Sequence, residues 1–395
     1  MKIAVISRPL PPSPSGQAMM LYRLLKDVDP GKYCLLSALG EPASAETHHS
    51  QKLPGKYFHL STKHEYSQAN TSLWGDLVNI SLGTILRAKQ IARIVRDEKC
   101  KAVLSCSSGD DRLDVPSGLL ASRLAGVKFY LYLFDTYSHM WIRPRSRFIG
   151  RRVEPIVVKK ADGVITTNDF VRDLLHERYG IESLVIHNPC DLSAYERVLN
   201  VPATPDSDVK IVFTGAIYEA HYEAFRNLIQ ALGQINRRDV LVHIYTAQPP
   251  SLLAARGVSG PVVLHPHEPV FAMPAIQRQA DILFLPFSFN TPYPELIKVS
   301  SPSKIGEYLA ARRPILVHAP PDSFIATYFR RHECGVVVDQ NDPRALARAI
   351  ELLLSDEGLR QRLSEKAWER AQADFSLDAA RSRFARFMKL DEPGE

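Results

Sequence analysis

The densest grouping of residues that could do chemistry is Ser300-Ser301-Pro302-Ser303-Lys304-Ile305-Gly306-Glu307-Tyr308-Leu309-Ala310-Ala311. Serines and a proline at a helix start present unpaired N–H donors, Lys304 adds a positive charge, and Glu307 follows one turn later on the same side. Phosphates at the amides and Lys304, with a sugar diol on the Glu307 carboxylate, suit that spacing. Taken alone, the segment fits a surface capping box better, with Ser303 as N-cap and Glu307 solvated.

Two glycines stand where a strand gives way to a helix. Ser7 to Gly16 runs from a strand end through a proline-rich loop to a helix start near Gln17, and Thr214-Gly215-Ala216-Ile217-Tyr218-Glu219 leads into a helix carrying Arg226. A glycine there lets a ligand approach backbone N–H groups at the positive end of a helix, but it serves a plain turn equally well. The second segment lacks G-x-G-x-x-G and the P-loop lysine, so dinucleotide and Walker readings fail.

In Tyr130-Leu131-Tyr132-Leu133-Phe134-Asp135-Thr136-Tyr137-Ser138-His139 an apolar strand ends in a carboxylate. An unpaired carboxylate in a core is costly, so Asp135 is expected at a cleft edge as a catalytic group, with His139 second; capping of the following loop is the alternative. Trp141 to Lys160 then holds Arg143, Arg145, Arg147, Arg151, Arg152, Lys159 and Lys160 against Glu154 alone, with Trp141, Phe148 and Ile149 interleaved. Such a stretch suits an anionic membrane surface or a lipid-diphosphate acceptor, or else forms a solvated basic face. His187, His243, His265, His267 and His318 show no metal-ligand spacing, so no metal is expected; His265 and His267 are the ones that could approach a nucleotide.

Pro302-Ser303-Lys304-Ile305-Gly306-Glu307-Tyr308-Leu309-Ala310-Ala311 resembles the "P-S-K-x-x-E-Y-L-A-x-G-x-P" segment of retaining GT-B glycosyltransferases of the family-4 type. Ala280 to Pro286 is similar to their "A-D-x-x-x-x-P", Ala161 to Thr167 to "A-D-x-V-I-x-x-S", and Asn188-Pro189-Cys190-Asp191 to "N-G-V-D". The resemblance implies that Glu307 binds the ribose of a nucleoside-diphosphate sugar, that Pro302 to Lys304, Ser301 included, contact the diphosphate, and that Gly16 and Gly215 line it from the two domains. Two departures stand out. Val299 replaces a glutamate eight residues before Glu307, leaving Glu295 as its substitute, and the lysine expected after Gly215 is missing, leaving Arg226 and Lys304. Phe134 also stands where the family often has histidine.

Short β-rich runs alternate with amphipathic helices almost throughout, the pattern of parallel sheets covered on both faces. At 395 residues the chain exceeds one ordinary core, which stops growing near roughly 250 to 300 residues. An α/β fold of two Rossmann-like domains facing across a cleft is expected: 1–190 on the acceptor side, a proline-rich linker 191–208, 209–373 binding the nucleotide sugar, and a final helix in 374–395 crossing back to the first domain. The net charge of +6 suits an anionic partner, and the basic residues are too local, without a reader motif, for nucleic acid. Five scattered cysteines without C-x-x-C, and an N-terminus lacking a signal segment, make a cytoplasmic protein the expectation, with contact at the inner membrane face. The expected function is sugar transfer to a glycan or lipid-linked acceptor, retaining and without cofactor or metal. A sugar-nucleotide epimerase and a non-catalytic sugar-nucleotide-binding subunit are the alternatives.

Overall fold

The computed structural model describes residues 1–391 apart from 14, 40–51, 62–72, 108–111, 139–143, 200–207 and 236, and apart from the side chains of 73–77 and 144–146. The chain forms two units, Met1–His187 with Asp378–Glu395, and Asn188–Leu377. The second unit thus begins at Asn188, ahead of the expected linker, of which residues 200–207 lie outside the described residues. Cys190 N–H donates to the Phe375 carbonyl at 2.8 Å and Leu377 N–H to the Cys190 carbonyl at 3.2 Å, so the segments by which the chain enters and leaves the second unit are paired.

Unit 1 holds seven parallel strands: β1 (Ile3–Ile6), β2 (Tyr33–Ser37), β3 (Lys56–His59), β4 (Ala102–Ser107), β5 (Lys128–Leu133), β6 (Gly163–Thr166) and β7 (Leu184–Val185), ordered β3-β2-β1-β4-β5-β6-β7. Its helices are α1 (Gly16–Leu25), α2 (Leu73–Asp97), α3 (Asp114–Ala125), α4 (Pro144–Lys159) and α5 (Asp169–Tyr179). Strands β1, β2 and β4 are buried along their whole length because helices cover both faces. β3 is an edge strand of exposed and half-buried residues, which is why its sequence gives no strand signal.

Unit 2 opens with α6 (Leu192–Glu196) and has six parallel strands: β8 (Val209–Thr214), β9 (Val240–Tyr245), β10 (Val262–His265), β11 (Ile282–Pro286), β12 (Ile315–His318) and β13 (Val336–Val338), ordered β10-β9-β8-β11-β12-β13. The helices between and after them are α7 (Tyr222–Leu232), α8 (Pro250–Ala255), α9 (Met273–Arg278), α10 (Pro294–Val299), α11 (Lys304–Ala310), α12 (Phe324–His332), α13 (Pro343–Ser355) and α14 (Glu357–Asp374). Asp342 caps α13 by accepting from Arg344 N–H at 2.9 Å, with Pro343 in the first turn where a missing N–H costs nothing.

The last helix, α15 (Leu377–Phe387), belongs almost entirely to unit 1. Phe384 and Met388 are buried with Leu24 and Tyr130, and the Phe387 ring meets Tyr130 edge-on at 5.6 Å. A Cβ on Gly163 would lie 2.6 Å from Phe387, so that glycine is what lets the helix settle on β6. In each sheet the strand order reverses at one place, beside β1 and beside β8. The loops that follow those two strands contain the Gly16 and Gly215 segments, where open parallel sheets bind ligands.

Between α2 and α3 the Arg87 guanidinium meets Asp114 at 2.5 Å, their side chains 2% and 1% exposed. Removing one member of such a pair strands a buried charge. Asp114→Ala is expected to cost about 3 to 5 kcal/mol in denaturant unfolding, and the Arg87→Met/Asp114→Leu double variant distinctly less. Equal losses in the two variants would show that the pair is not what holds these helices.

Candidate active site

Lys304 starts α11 and is half-buried, not solvated. Its ammonium lies 4.9 Å from the centre of the Phe213 ring. A Cβ on Gly215 would come within 3.1 Å of its Cε and Nζ, and Gly215 has φ +113, so both space and backbone require glycine there. Among the described residues no carboxylate lies within ion-pair distance of Lys304. Burial lowers its pKa, and Glu307, one turn away, opposes that shift without cancelling it. This ammonium is seated for an anion.

The surroundings are fixed by side chains far apart in the sequence. Asn188 Nδ2 donates to the Ser301 carbonyl at 2.8 Å, holding the segment before α11. Gln277 joins three groups: Tyr195 Oη donates to its Oε1 at 2.7 Å, while its Nε2 donates to Thr214 Oγ1 at 3.2 Å and to Glu307 Oε2 at 3.5 Å. Buried His221 takes the Tyr218 N–H on Nδ1 at 3.4 Å and stacks on Phe287. Burial and the Lys304 charge push its pKa down to about 3, so the imidazole is neutral. Glu223 accepts from Phe289 N–H at 2.6 Å and Asn290 N–H at 2.8 Å, pinning the loop after β11. Burial alone would raise its pKa, but these bonds outweigh it and hold the carboxylate below its usual range.

Several expectations need correction. Ser303 makes no side-chain cap bond, and with Lys304 half-buried the capping-box reading fails. The turn after β8 offers fewer free amides than expected, since Gly215 N–H goes to the Tyr245 carbonyl at 2.8 Å and Ile217 N–H to Gln248 at 2.6 Å. With α11 only seven residues long, the Lys304 charge outweighs any helix dipole. Arg226 is exposed and donates to the Arg256 carbonyl at 3.2 Å, with no described contact to Lys304. The buried set Ala224, Phe225, Leu228, Ala231 and Leu232 already puts Arg226 on the outer face of α7. Glu295 is exposed in the first turn of α10, and Val299 is buried in its last, so neither stands beside Lys304 through a described contact. His265 stacks on Tyr245 at 4.2 Å and hydrogen-bonds His243 at 3.0 Å; His267 is exposed. Buried His318 bonds Val338 and Asn227, and no described His, Cys, Asp or Glu cluster could hold a metal.

In unit 1, Asp135 follows β5 at its carboxyl end. It is half-buried, has no ion-pair partner among the described residues, and burial raises its pKa from 3.8 to about 7. Phe134 beside it stacks on Tyr132 at 4.3 Å. The segment beyond is held by Glu154, which accepts from Ser138 N–H at 2.7 Å and Tyr179 Oη at 3.1 Å. The one carboxylate of the basic stretch thus points inward. A Cβ on Gly16 would meet nothing within 4 Å, so packing gives no reason for glycine there. Ser15 caps α1 instead, accepting Ala18 N–H at 3.2 Å. A cavity of about 780 Å³ lined by Arg8, Leu10, Pro11, Tyr57 and Phe58 adjoins the proline-rich loop. His139, Trp141 and Arg143 lie outside the described residues, as does the Arg145 side chain.

Comparison with known proteins bears on the second unit and on the fold. Residues 208–356 match the family model of glycosyl transferases group 1. The chain is similar to a glycosyltransferase from Rickettsia africae at 15% identity and TM-score 0.68, covering 98% of this chain and 97% of that one. Sucrose-phosphate synthase from Thermosynechococcus elongatus aligns at 15% identity and TM-score 0.67, covering 98% of each. Anabaena HepE, solved in complex with UDP-glucose, aligns at 14% and 0.69, covering 98% of this chain and 99% of that one. By sequence, no curated protein matches. The two-sheet fold is the GT-B fold of these solved glycosyltransferases, and residues 208–356, within the second unit, carry the match to glycosyl transferases group 1.

A carboxyl whose folded pKa lies above its unfolded value favours folding only below the unfolded value, and that contribution is lost as pH rises toward the folded one. For Asp135 the window runs from 3.8 to about 7. Asp135→Asn should therefore gain melting temperature over wild type progressively between these limits and keep the gain above them, while turnover falls and donor affinity holds. A constant difference in melting temperature from pH 4 to pH 8 would mean that the carboxyl is not held neutral by its site.

Proposed function

We propose that the protein transfers a sugar from a nucleoside-diphosphate donor to an acceptor hydroxyl, with retention of configuration and without a metal, in the synthesis of a cell-surface glycan or glycoconjugate. The observation that carries this reading is the Lys304 ammonium, seated against Gly215 with no described carboxylate in ion-pair reach and with Glu307 one turn behind it. In this reading Lys304 takes the diphosphate oxygens and Glu307 the ribose hydroxyls, its carboxylate aligned by Gln277. The HepE complex with UDP-glucose supports a nucleotide-sugar donor and makes UDP the first probe.

Charge grows on the departing phosphate oxygens as the glycosidic bond breaks, and a cation already desolvated and positioned there lowers the barrier. The acceptor hydroxyl gives its proton to that phosphate, which suits a site whose nearest imidazole, His221, is too weak a base to hold a proton near neutrality. Asp135 orients the acceptor or offsets positive charge on the sugar. The cavity by the proline-rich loop, apolar apart from residues such as Arg8, fits an acceptor with an apolar part.

The acceptor we favour is lipid-linked, met by a protein resting on the cytoplasmic face of a membrane. No helix among the described residues is long and apolar enough to cross one. Helix α4 instead presents exposed Phe148 (52%) and Ile156 (57%) beside exposed Arg151, Arg152 and Lys159, with Arg147 half-buried and Arg152 over the Phe148 ring at 4.8 Å. Exposed Val78, Leu82, Ile85 and Leu86 form an apolar stripe on α2, and α3 packs against both helices. Apolar residues set among arginines fit the headgroup level of an anionic bilayer.

Glu307→Ala is expected to weaken nucleoside-diphosphate affinity by about 1 to 3 kcal/mol in titration calorimetry with UDP, and Lys304→Ala to do likewise. Unchanged affinity in both would sink the donor assignment. Separately, the protein should sediment with anionic but not neutral vesicles, less so with added salt or with Arg147, Arg151 and Arg152 changed to glutamine, each arginine contributing about 1 kcal/mol. Equal partitioning with both lipids, or none with either, would leave α4 a solvated face.

A further inference from the structure

We propose that unit 2 carries a second anion site, at the opposite sheet edge from Lys304, that takes a compact polyphosphate or a multiply phosphorylated small molecule. It is a cavity of about 870 Å³. Val209, which starts β8, Asp281, just before β11, and Pro314, just before β12, are in its wall, so it lies at the amino ends of the strands. Strand β8 is six residues long. At about 3.3 Å per residue it separates the cavity from the Gly215 turn by roughly 17 Å.

The floor is cationic. Arg278, Arg312, Arg313 and Arg360 are half-buried, and none has a carboxylate within ion-pair distance among the described residues. Backbone carbonyls hold them instead. Arg278 Nη1 donates to Ala311 and Arg312 at 3.3 and 3.1 Å, Arg360 Nη1 to Leu353 and Leu354 at 2.8 and 3.0 Å, and Arg313 to Ala280. Arg312 lies over the Trp368 ring at 3.8 Å, on a left-handed backbone with φ 51, and its buried Nε has no hydrogen-bond partner. Burial lowers the pKa of Arg278, Arg312 and Arg313, and neighbouring arginines lower those of Arg278 and Arg313 further; Glu196 opposes the shift at Arg312 and Asp281 that at Arg313, without cancelling either. A fold that desolvates like charges and meets them with carbonyls, one aromatic ring and carboxylates beyond ion-pair distance leaves room for a multivalent counter-ion.

The acidic residues sort themselves by depth. Glu357, Glu365 and Glu369 are exposed at the rim, and Asp281 accepts Lys210 N–H at 2.8 Å. Arg237, also in the wall, is paired with Asp239 at 2.5 Å. A long polyanion such as nucleic acid would run across the rim carboxylates, whereas a compact anion reaches the floor without meeting them. Guanidinium forks at several angles suit clustered phosphate groups better than a single carboxylate.

The test is titration calorimetry of the full chain with sodium tripolyphosphate at constant ionic strength. Lys304→Ala is compared with Arg278→Gln/Arg312→Asn, asparagine being tolerant of the left-handed backbone. Arg360→Gln serves as a second probe should the double variant lose its circular-dichroism melt. Saturable binding is expected to persist in Lys304→Ala and to weaken about tenfold or more in the arginine variants. No saturable binding in Lys304→Ala, or undiminished binding in folded arginine variants, overturns the proposal.

Discussion

The constraint on which the rest of unit 2 depends is the seating of one ammonium away from water. Desolvating Lys304 is costly, and among the described residues only Glu307 compensates in part, from one turn along the helix. The cost is borne because the neighbouring structure leaves no alternative. Gly215 turns at φ +113 to clear the lysine stem, Phe213 offers its ring face, and Tyr308 anchors the end of β8 by accepting Thr214 N–H at 3.2 Å. Even the connection to the rest of the chain serves it: a Cβ on Gly306 would strike Phe375 at 3.0 Å and the Asn188 carbonyl at 3.2 Å, so α11 lies directly on the paired segments that begin and end the unit.

Unit 1 solves the converse problem. There a carboxyl, not an ammonium, is held in its less charged form, and the device is again burial with ion-pair partners withheld. What prevents the loop from relaxing is Glu154, spent on Ser138 N–H and Tyr179 Oη below the surface. That inward turn has an outward effect. It removes the only negative charge from the basic stretch, so the exposed described residues of α4 are Arg151, Arg152, Lys159, Phe148 and Ile156.

Much of this was legible in the sequence wherever the signal was local. β8, β9, β10 and β12 fall on the residues their apolar runs mark, and α2 spans Leu73–Asp97 as its periodicity implies. Lys304 and Glu307 stood out through the resemblance of Pro302 to Ala311, since their spacing on one helical turn taken alone fits a capping box better. What was not legible is assembled by the fold: Gln277 on α9, His221 and Glu223 at the start of α7, and Asn188 ahead of α6 come together from three distant places in the chain, and no spacing rule links those places. Periodicity has its own limit, since Ile85 falls near the helical spacing of buried Ile91 and Val95 on α2 yet stands 43% exposed. Arg226 misleads by the opposite route, because charge suggested a role that the phase of α7 denies.

The departures from the glycosyltransferase pattern acquire a physical sense at this level. Val299 is 6% exposed, so a carboxylate at that position would have to be buried, and rotating the helix to present it to a ligand would expose the buried Ile297. A missing glutamate there is thus part of how α10 packs, and under the proposed function the donor sugar would be recognised by other groups. The loop after β11 is the nearest rigid candidate by sequence: Glu223 ties its Phe289 and Asn290 amides, Ser288 N–H donates to the Ala220 carbonyl at 2.7 Å, and Phe287 N–H to the His318 carbonyl at 2.7 Å. Backbone pinned at four successive residues holds its remaining groups in fixed directions, which is what selection among similar sugars requires. In the proposed reading, charge for the phosphates and rigidity for the sugar would come from different elements, and a change in one need not disturb the other.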